Sequence, residues 1–211
     1  MLINRKPLLS IWLDRLASAG FGPFIINGHY KHEKIKDFII NNKHKKNINF
    51  FVEKKILGTA GTLIRHLDFL EKGGLLVHAD NLCLADFNKF YLAHTNRPKS
   101  CLMTMMTFNV SNPKLFGIVK VDSNNIVKEF HEKDPNAVGN IANAAIYLLS
   151  EEIIKDIRKN FSHCKDFSTE ILPSFMNRVF TYHTKEPLID IGTPEDYYRA
   201  IEIERDYANK K

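Results

Sequence analysis

Through the first half of this chain, stretches with helical apolar spacing alternate with short continuous apolar runs, and few residues separate them. Leu8, Leu9, Trp12, Leu13 and Leu16 share one helical face over residues 8–19, with Pro7 suited to the first turn and Gly20 to the position past the end. PFIIN (23–27) then reads as a buried strand. Residues 32–40 read as a helix with Ile35, Phe38 and Ile39 inward, and INFFVE (48–53) as a strand. Gly58 opens a helix carrying Leu63, Ile64, Leu67 and Leu70, and GLLVHAD (74–80) is a strand ending in a carboxylate. A short helix over 86–94 and the strand CLMTMMTF (101–108) complete the series. Such alternation with short connections implies an α/β chain whose mostly parallel sheet is covered on both faces.

The second half changes character. GIVKVDSNNIVKEFHE reads as a hairpin turning at Ser123-Asn124-Asn125, and AAIYLLS (144–150) as a strand leading into a helix through Arg158. DFSTEILPSFMN reads as a helix that Pro173 bends or ends. RVFTYHT and PLIDI are strands, and Thr193-Pro194-Glu195-Asp196 starts a helix with a threonine cap, a first-turn proline and first-turn acids. No repeat, low-complexity linker or boundary divides residues 1–211, so the reading is one domain.

Composition narrows the function classes. With 44% apolar and 26% charged residues, the 211-residue chain buries a real core and is not a disordered segment. No apolar run nears the roughly 18 residues that span a bilayer, and Asp14 and Arg15 interrupt the apolar start, which is no secretory signal. Cys83, Cys101 and Cys164 are an odd set without a C-x-x-C pair, which argues against a disulfide framework or a zinc site and suits the cytoplasm. The net charge of +6 favours anionic partners. The lysine-rich stretch 31–55 carries no recognised nucleic-acid motif and reads as a solvated helix face, so neither nucleic acid nor membrane is an expected partner.

Four segments set polar groups at strand ends, where open α/β sheets bind ligands. Glu53 to Gly61 runs from a strand end through a glycine turn into a helix, giving either close backbone approach to a flat ligand or a plain helix entry. Asp80, ending an apolar strand, must be paired, capped or metal-bound. Glu132-Lys133, with Asn143 ten positions on, is either a polar site or wet surface. Asp190, between isoleucines and ahead of a capped helix, is either placed for function or a turn former.

Together these segments resemble the sugar-1-phosphate nucleotidyltransferases, in particular the mannose-1-phosphate and heptose-1-phosphate guanylyltransferases. The resemblance runs through KPLL, EKKILGTAG, LVHADN, FGIVKVD, EFHEK, GNIANAAIYLLS, DFSTEILP and IDIGTPEDY, in order and over nearly the whole chain. It implies a Rossmann-like mixed, mostly parallel sheet flanked by helices. It also implies transfer of a nucleotidyl group from a nucleoside triphosphate to a sugar 1-phosphate, with Mg²⁺ as cofactor. By resemblance Asp80 and Asp190 are the catalytic, metal-holding carboxylates. Glu53 reads the base, with Gly58 and Thr59 against base and ribose. Gly117 lets the sugar approach, Glu132 and Asn143 bond its hydroxyls, and Lys133 faces its phosphate. A carboxylate can accept two N–H groups from guanine but one from uracil, which favours GTP. The sugar is not named by the sequence, and the oligomeric state is left open, a homodimer included.

Two features depart from the family. His78-Ala79-Asp80 stands where Asn-Gly-Asp is usual. The family's glycine-rich loop, its triphosphate-gripping arginine, a following lysine and the first strand have no counterpart in these 211 residues. The expectation is a domain lacking its first strand and N-terminally incomplete, from a late-assigned start or a truncated gene. It would leave bare edges on the PFIIN and GLLVHAD strands, be poorly stable alone, and be weak as a transferase. The rival reading is a non-catalytic nucleotide- or sugar-binding remnant.

Overall fold

The structure is a computed structural model that describes residues 1–209. Contacts divide it into two units, residues 1–57 with 189–211, and residues 58–188.

The first unit opens with a miniature hairpin, β1 (Leu2–Ile3) against β2 (Lys6–Pro7), across a turn that holds Asn4 and Arg5 at positive φ. The sequence pattern gave no sign of it. Pro7, with φ of −56° and ψ of 133°, precedes helix α1 (Leu8–Ser18), which buries Leu8, Ile11, Trp12, Leu13 and Leu16. Strand β3 (Phe24–Gly28), helix α2 (His32–Ile40) and strand β4 (Ile48–Val52) follow. β3 and β4 form a parallel ladder from Phe24↔Ile48 to Gly28↔Val52, the βαβ unit that the alternating pattern implied. Gly28 is required there, because a Cβ would press on the Phe50 ring at 3.0 Å and on Ile35 at 3.2 Å. Asp14 on α1 ties the unit together: Lys6 Nζ lies at 2.7 Å, Lys43 Nζ at 2.8 Å and His44 Nε2 at 2.8 Å. Burial raises the Asp14 carboxyl pKa, but hydrogen bonds from Lys43, Lys6 and His44 outweigh it and hold the group far below its ordinary value.

The second unit begins with helix α3 (Gly58–Arg65) and strands β5 (Gly74–Val77) and β6 (Asn81–Cys83). The α3 helix stops at Arg65, so Leu67 and Leu70 lie in the turns beyond it, while Leu67 still joins the core. Helix α4 (Phe87–Thr95) is capped by Asp86, whose Oδ1 accepts from Asn88 N at 3.0 Å and Lys89 N at 3.1 Å. Strands β7 (Met103–Asn109), β8 (Gly117–Val121), β9 (Val127–Glu132) and β10 (Ile141–Leu149) come next. Helix α5 (Glu151–Asn160) and strand β11 (Val179–His183) complete the unit. The expected helix over DFSTEILPSFMN is instead a π-helical turn at Phe167–Ile171 followed by a 3₁₀ turn at Leu172–Phe175. Pro173 at the start of that second turn lacks the N–H an α-helix needs there.

The sheet runs β11-β7-β10-β8-β9, with β5 also on β10. β10 is antiparallel to β5, β7 and β8, and β11 is parallel to β7, so β5, β7, β8 and β11 share one direction. The sheet is therefore mixed, with β9 and β10 running against the majority. Among the described residues β3 pairs only with β4, and β5 only with β10. Tyr147, Met103, Met105, Phe167, Phe175 and Ile153 anchor the core beneath this sheet. After β11 the chain passes through β12 (Leu188–Asp190) into helix α6 (Pro194–Asn209) of the first unit. Thr193 Oγ1 accepts from Asp196 N at 3.1 Å, as the start signal predicted, and Tyr197 Oη donates to Leu2 O at 2.7 Å.

Candidate functional site

In the first unit, Glu53 follows β4 and is 5% exposed. Its backbone N–H donates to Gly28 O at 2.8 Å, which carries the residue one step beyond the parallel ladder. Asn27 Nδ2 donates to Oε1 at 3.3 Å, and Leu57 N donates to Oε2 at 3.3 Å. His29 Nδ1 lies 2.7 Å from the Glu53 carbonyl, which can only accept, so that nitrogen carries the proton. Asn27 and His29 escaped the sequence reading, although Asn27 closes an apolar strand just as Glu53 does.

In the second unit, Gly58 has a φ of +80°, and a Cβ there would overlap the Lys165 carbonyl oxygen. Its freedom is therefore used by the protein's own backbone, where Ala60 N donates to Lys165 O at 2.9 Å. Thr59 Oγ1 donates to Asp166 Oδ2 at 3.4 Å and accepts from Phe167 N at 2.8 Å. Asp166 also caps the π-helical turn through Thr169 N at 2.8 Å. It lay inside a segment read only as a helix.

The remaining second-unit residues share one register row. Glu132 on β9 pairs with Gly117 on β8, and Ala142↔Ile118 one step away sets Asn143 of β10 opposite Gly117. Asn143 in turn pairs with Thr107 on β7, and Thr107 with His183 on β11. Side chains that face each other across strands project from the same face, so the row presents Glu132, then Gly117 without a side chain, then Asn143, Thr107 and His183. The space over Gly117 is taken up by its neighbours: a Cβ there would lie 2.7 Å from Glu132 Oε2 and 2.6 Å from the Phe130 ring. Glu132 is exposed as a residue, but its carboxylate folds over that strand. Burial there raises its pKa, and Asp166 adds to the effect against the opposing influence of Lys133 and His78. Lys133 follows at a φ of 47°, exposed, with its N–H on Phe116 O at 3.3 Å. At the far end Thr107 Oγ1 is 3.2 Å from His183 Nδ1, and burial holds the His183 pKa below its ordinary value.

Asp80 is exposed in the turn after β5, because the strand stops at Val77 rather than running to the carboxylate. Asp190 is the exposed last residue of β12. Asp80 belongs to the second unit and Asp190 to the first. Both offer the hard oxygen donors that Mg²⁺ takes. No cluster of three or more metal-ligating side chains occurs among the described residues. No helix is long and apolar enough to cross a membrane among the described residues.

Comparison with known proteins shows the family. The family profile described as Nucleotidyl transferase matches residues 1–206. The chain is 31% identical over 201 residues to a D-glycero-alpha-D-manno-heptose 1-phosphate guanylyltransferase of Campylobacter jejuni, covering 94% of this chain and 86% of that one. It is 28% identical to a mannose-1-phosphate guanyltransferase of Saccharomyces cerevisiae, covering 92% of this chain and 55% of that protein, so it spans about half of this longer relative. The crystal structure of HddC from Yersinia pseudotuberculosis complexed with GMP-PN superposes with a TM-score of 0.79 at 27% identity, over 96% of this chain and 87% of that one. On the profile match and these relatives, the chain belongs to the nucleotidyl transferase family of enzymes.

Proposed function

We propose that this chain forms a nucleoside-diphosphate sugar and pyrophosphate from a sugar 1-phosphate and a nucleoside triphosphate, with GTP preferred. The observation that carries the reading is the polar row in which Glu132 and Asn143, an acceptor and an amide, stand on the strands either side of Gly117. In the reaction a phosphate oxygen of the sugar 1-phosphate attacks the α-phosphorus, the α–β bridging P–O bond breaks, and pyrophosphate departs with that electron pair. The protein's part is to align two polyanions and balance their charge.

Glu53 is the base reader in this account. A carboxylate can accept the two N–H groups of guanine's edge. Gly58 and Thr59 shape the floor under base and ribose through the Lys165–Asp166 backbone. Lys133 meets the sugar phosphate as a point charge. Asp80 and Asp190 would hold Mg²⁺, which supplies charge neutralisation at the phosphate oxygens. A second reading is binding of nucleotide or sugar without chemistry.

A pyrophosphate-release screen of GTP, ATP, UTP and CTP against hexose and heptose 1-phosphates, with and without Mg²⁺, tests the proposal. The expected result is Mg²⁺-dependent release with GTP, reduced at least 100-fold by Asp80→Asn or Asp190→Asn. Binding of GTP and sugar phosphate without release under any condition would establish the second reading instead.

A further inference from the structure

Tyr147 lies four residues after Asn143 on β10, is 1% exposed, and has no place in the chemistry above. Between them β10 bulges: its register slips between Asn143 and Tyr147, and Ala145 takes a φ of 54°. That distortion turns the Ala145 N–H onto Asn143 Oδ1 at 3.0 Å, and brings Asn143 Nδ2 to within 2.6 Å of the Tyr147 hydroxyl. A backbone N–H is only a donor, so it fixes which end of the amide is oxygen. Asn143 therefore donates to Tyr147, and the tyrosine proton is left for the Ser168 hydroxyl, its other side-chain partner. Turning the amide over would set nitrogen against the Ala145 N–H, donor against donor.

We infer that Tyr147 is a positioning residue that sets sugar specificity: it locks the Asn143 amide so that its remaining N–H, not its oxygen, meets a sugar hydroxyl. This rests on the proposed reading of the row. On the other side of Gly117 in the row, Glu132 in its carboxylate form can only accept. The two walls then demand a hydroxyl that accepts on the Asn143 side and one that donates on the Glu132 side. The substrate class that fits is a sugar 1-phosphate with a correctly oriented pair of ring hydroxyls, and an epimer inverted at either one loses a bond. The lock runs on through Ser168 to the 166–171 turn, which Asp166 ties to Thr59.

The test uses Tyr147→Phe, which keeps the ring in the core and removes only the hydroxyl. With GTP, the KM for mannose 1-phosphate should rise about 5- to 20-fold, while the KM for GTP and kcat stay within twofold. Discrimination between mannose and glucose 1-phosphates should fall by a similar factor. Asn143→Asp, which replaces the donor by an acceptor, should lose more than 100-fold in kcat/KM, and Ser168→Ala should give a smaller KM effect of the same kind. A readout independent of turnover is the Asn143 side-chain NH2 pair in ¹⁵N-resolved spectra. One proton should exchange slowly in the wild type, and Tyr147→Phe should abolish that protection. Equal shifts in both KM values, unchanged epimer discrimination, or an unprotected amide in the wild type would overturn the inference. A wild type that turns over no sugar 1-phosphate but keeps the protected amide would count against the proposed function alone.

Discussion

Ala145 carries a left-handed backbone on a residue with a Cβ, a conformation that costs about 1–2 kcal/mol outside glycine. Ala145→Gly relieves it, and after the added chain entropy of glycine the gain should be about 0.5–1 kcal/mol in urea unfolding. A loss of stability would mean that the bulge is not strained. His94 makes a second prediction. Its Nδ1 is 2.9 Å from Thr104 Oγ1, and burial, aided by Arg97, lowers its pKa to about 4. Below the ordinary histidine value near 6.5 the unfolded chain takes up a proton that the folded one refuses. The contribution is thus complete above pH 6.5 and drains away as the pH falls toward 4, by about 2–3 kcal/mol in all. His94→Gln should flatten that part of the stability–pH curve. At this scale the sequence was informative about polar residues at strand ends and silent about their partners. Glu53 stands out after an apolar strand, but Asn27, His29 and Leu57 reach it only through the β3–β4 ladder.

Among the elements, α1 was legible because it pairs an apolar face with a first-turn proline and a glycine past its end, and α2 from its apolar spacing. Helix α6 was legible from its start signal, where Thr193 caps as its spacing suggested. The segment after Asp166 was not. An apolar spacing of helical kind fits π and 3₁₀ turns nearly as well, and only the packed neighbours of Phe167 and Phe175 decide between them. β10 was read as starting at Ala144, three residues late, because the bulge at Ala145 breaks the alternation that marks a strand. Gly58 illustrates a role that sequence alone leaves open between ligand approach and a plain helix entry, and its positive φ clears the Lys165 carbonyl. Gly58→Ala should therefore cost about 2–4 kcal/mol of stability, combining positive-φ strain with a backbone clash. If the variant melts like the wild type, the contact is not tight.

For the molecule as a whole, the α/β class and the parallel β3–β4 unit followed from alternating periods, but the order β11-β7-β10-β8-β9 did not. Strand order depends on which apolar faces meet across long loops, and β10 runs against its neighbours for a reason no local pattern carries. That order aligns Glu132, Gly117 and Asn143 from three strands, a row that the resemblance grouped around the sugar but that no spacing along the sequence brings together. The acid sensitivity of the first unit also belongs to this scale. Asp14 is held ionised by Lys43, Lys6 and His44, so its stabilisation is present above the ordinary aspartate value near 3.9 and is lost as the pH falls below it. Asp14→Asn should lower stability at pH 7 by about 1–2 kcal/mol and leave less to lose in acid, measured by denaturant titration at each pH.

The central claim of the proposed function is that Glu53 reads the base and that the Glu132–Asn143 row binds the sugar. Equilibrium titration with GDP-mannose tests it without requiring turnover. The account predicts saturable binding that Glu53→Ala and Glu132→Ala each weaken at least tenfold, the first also weakening GDP alone and the second leaving GDP unaffected. Binding indifferent to both substitutions, or none at millimolar ligand, would contradict it.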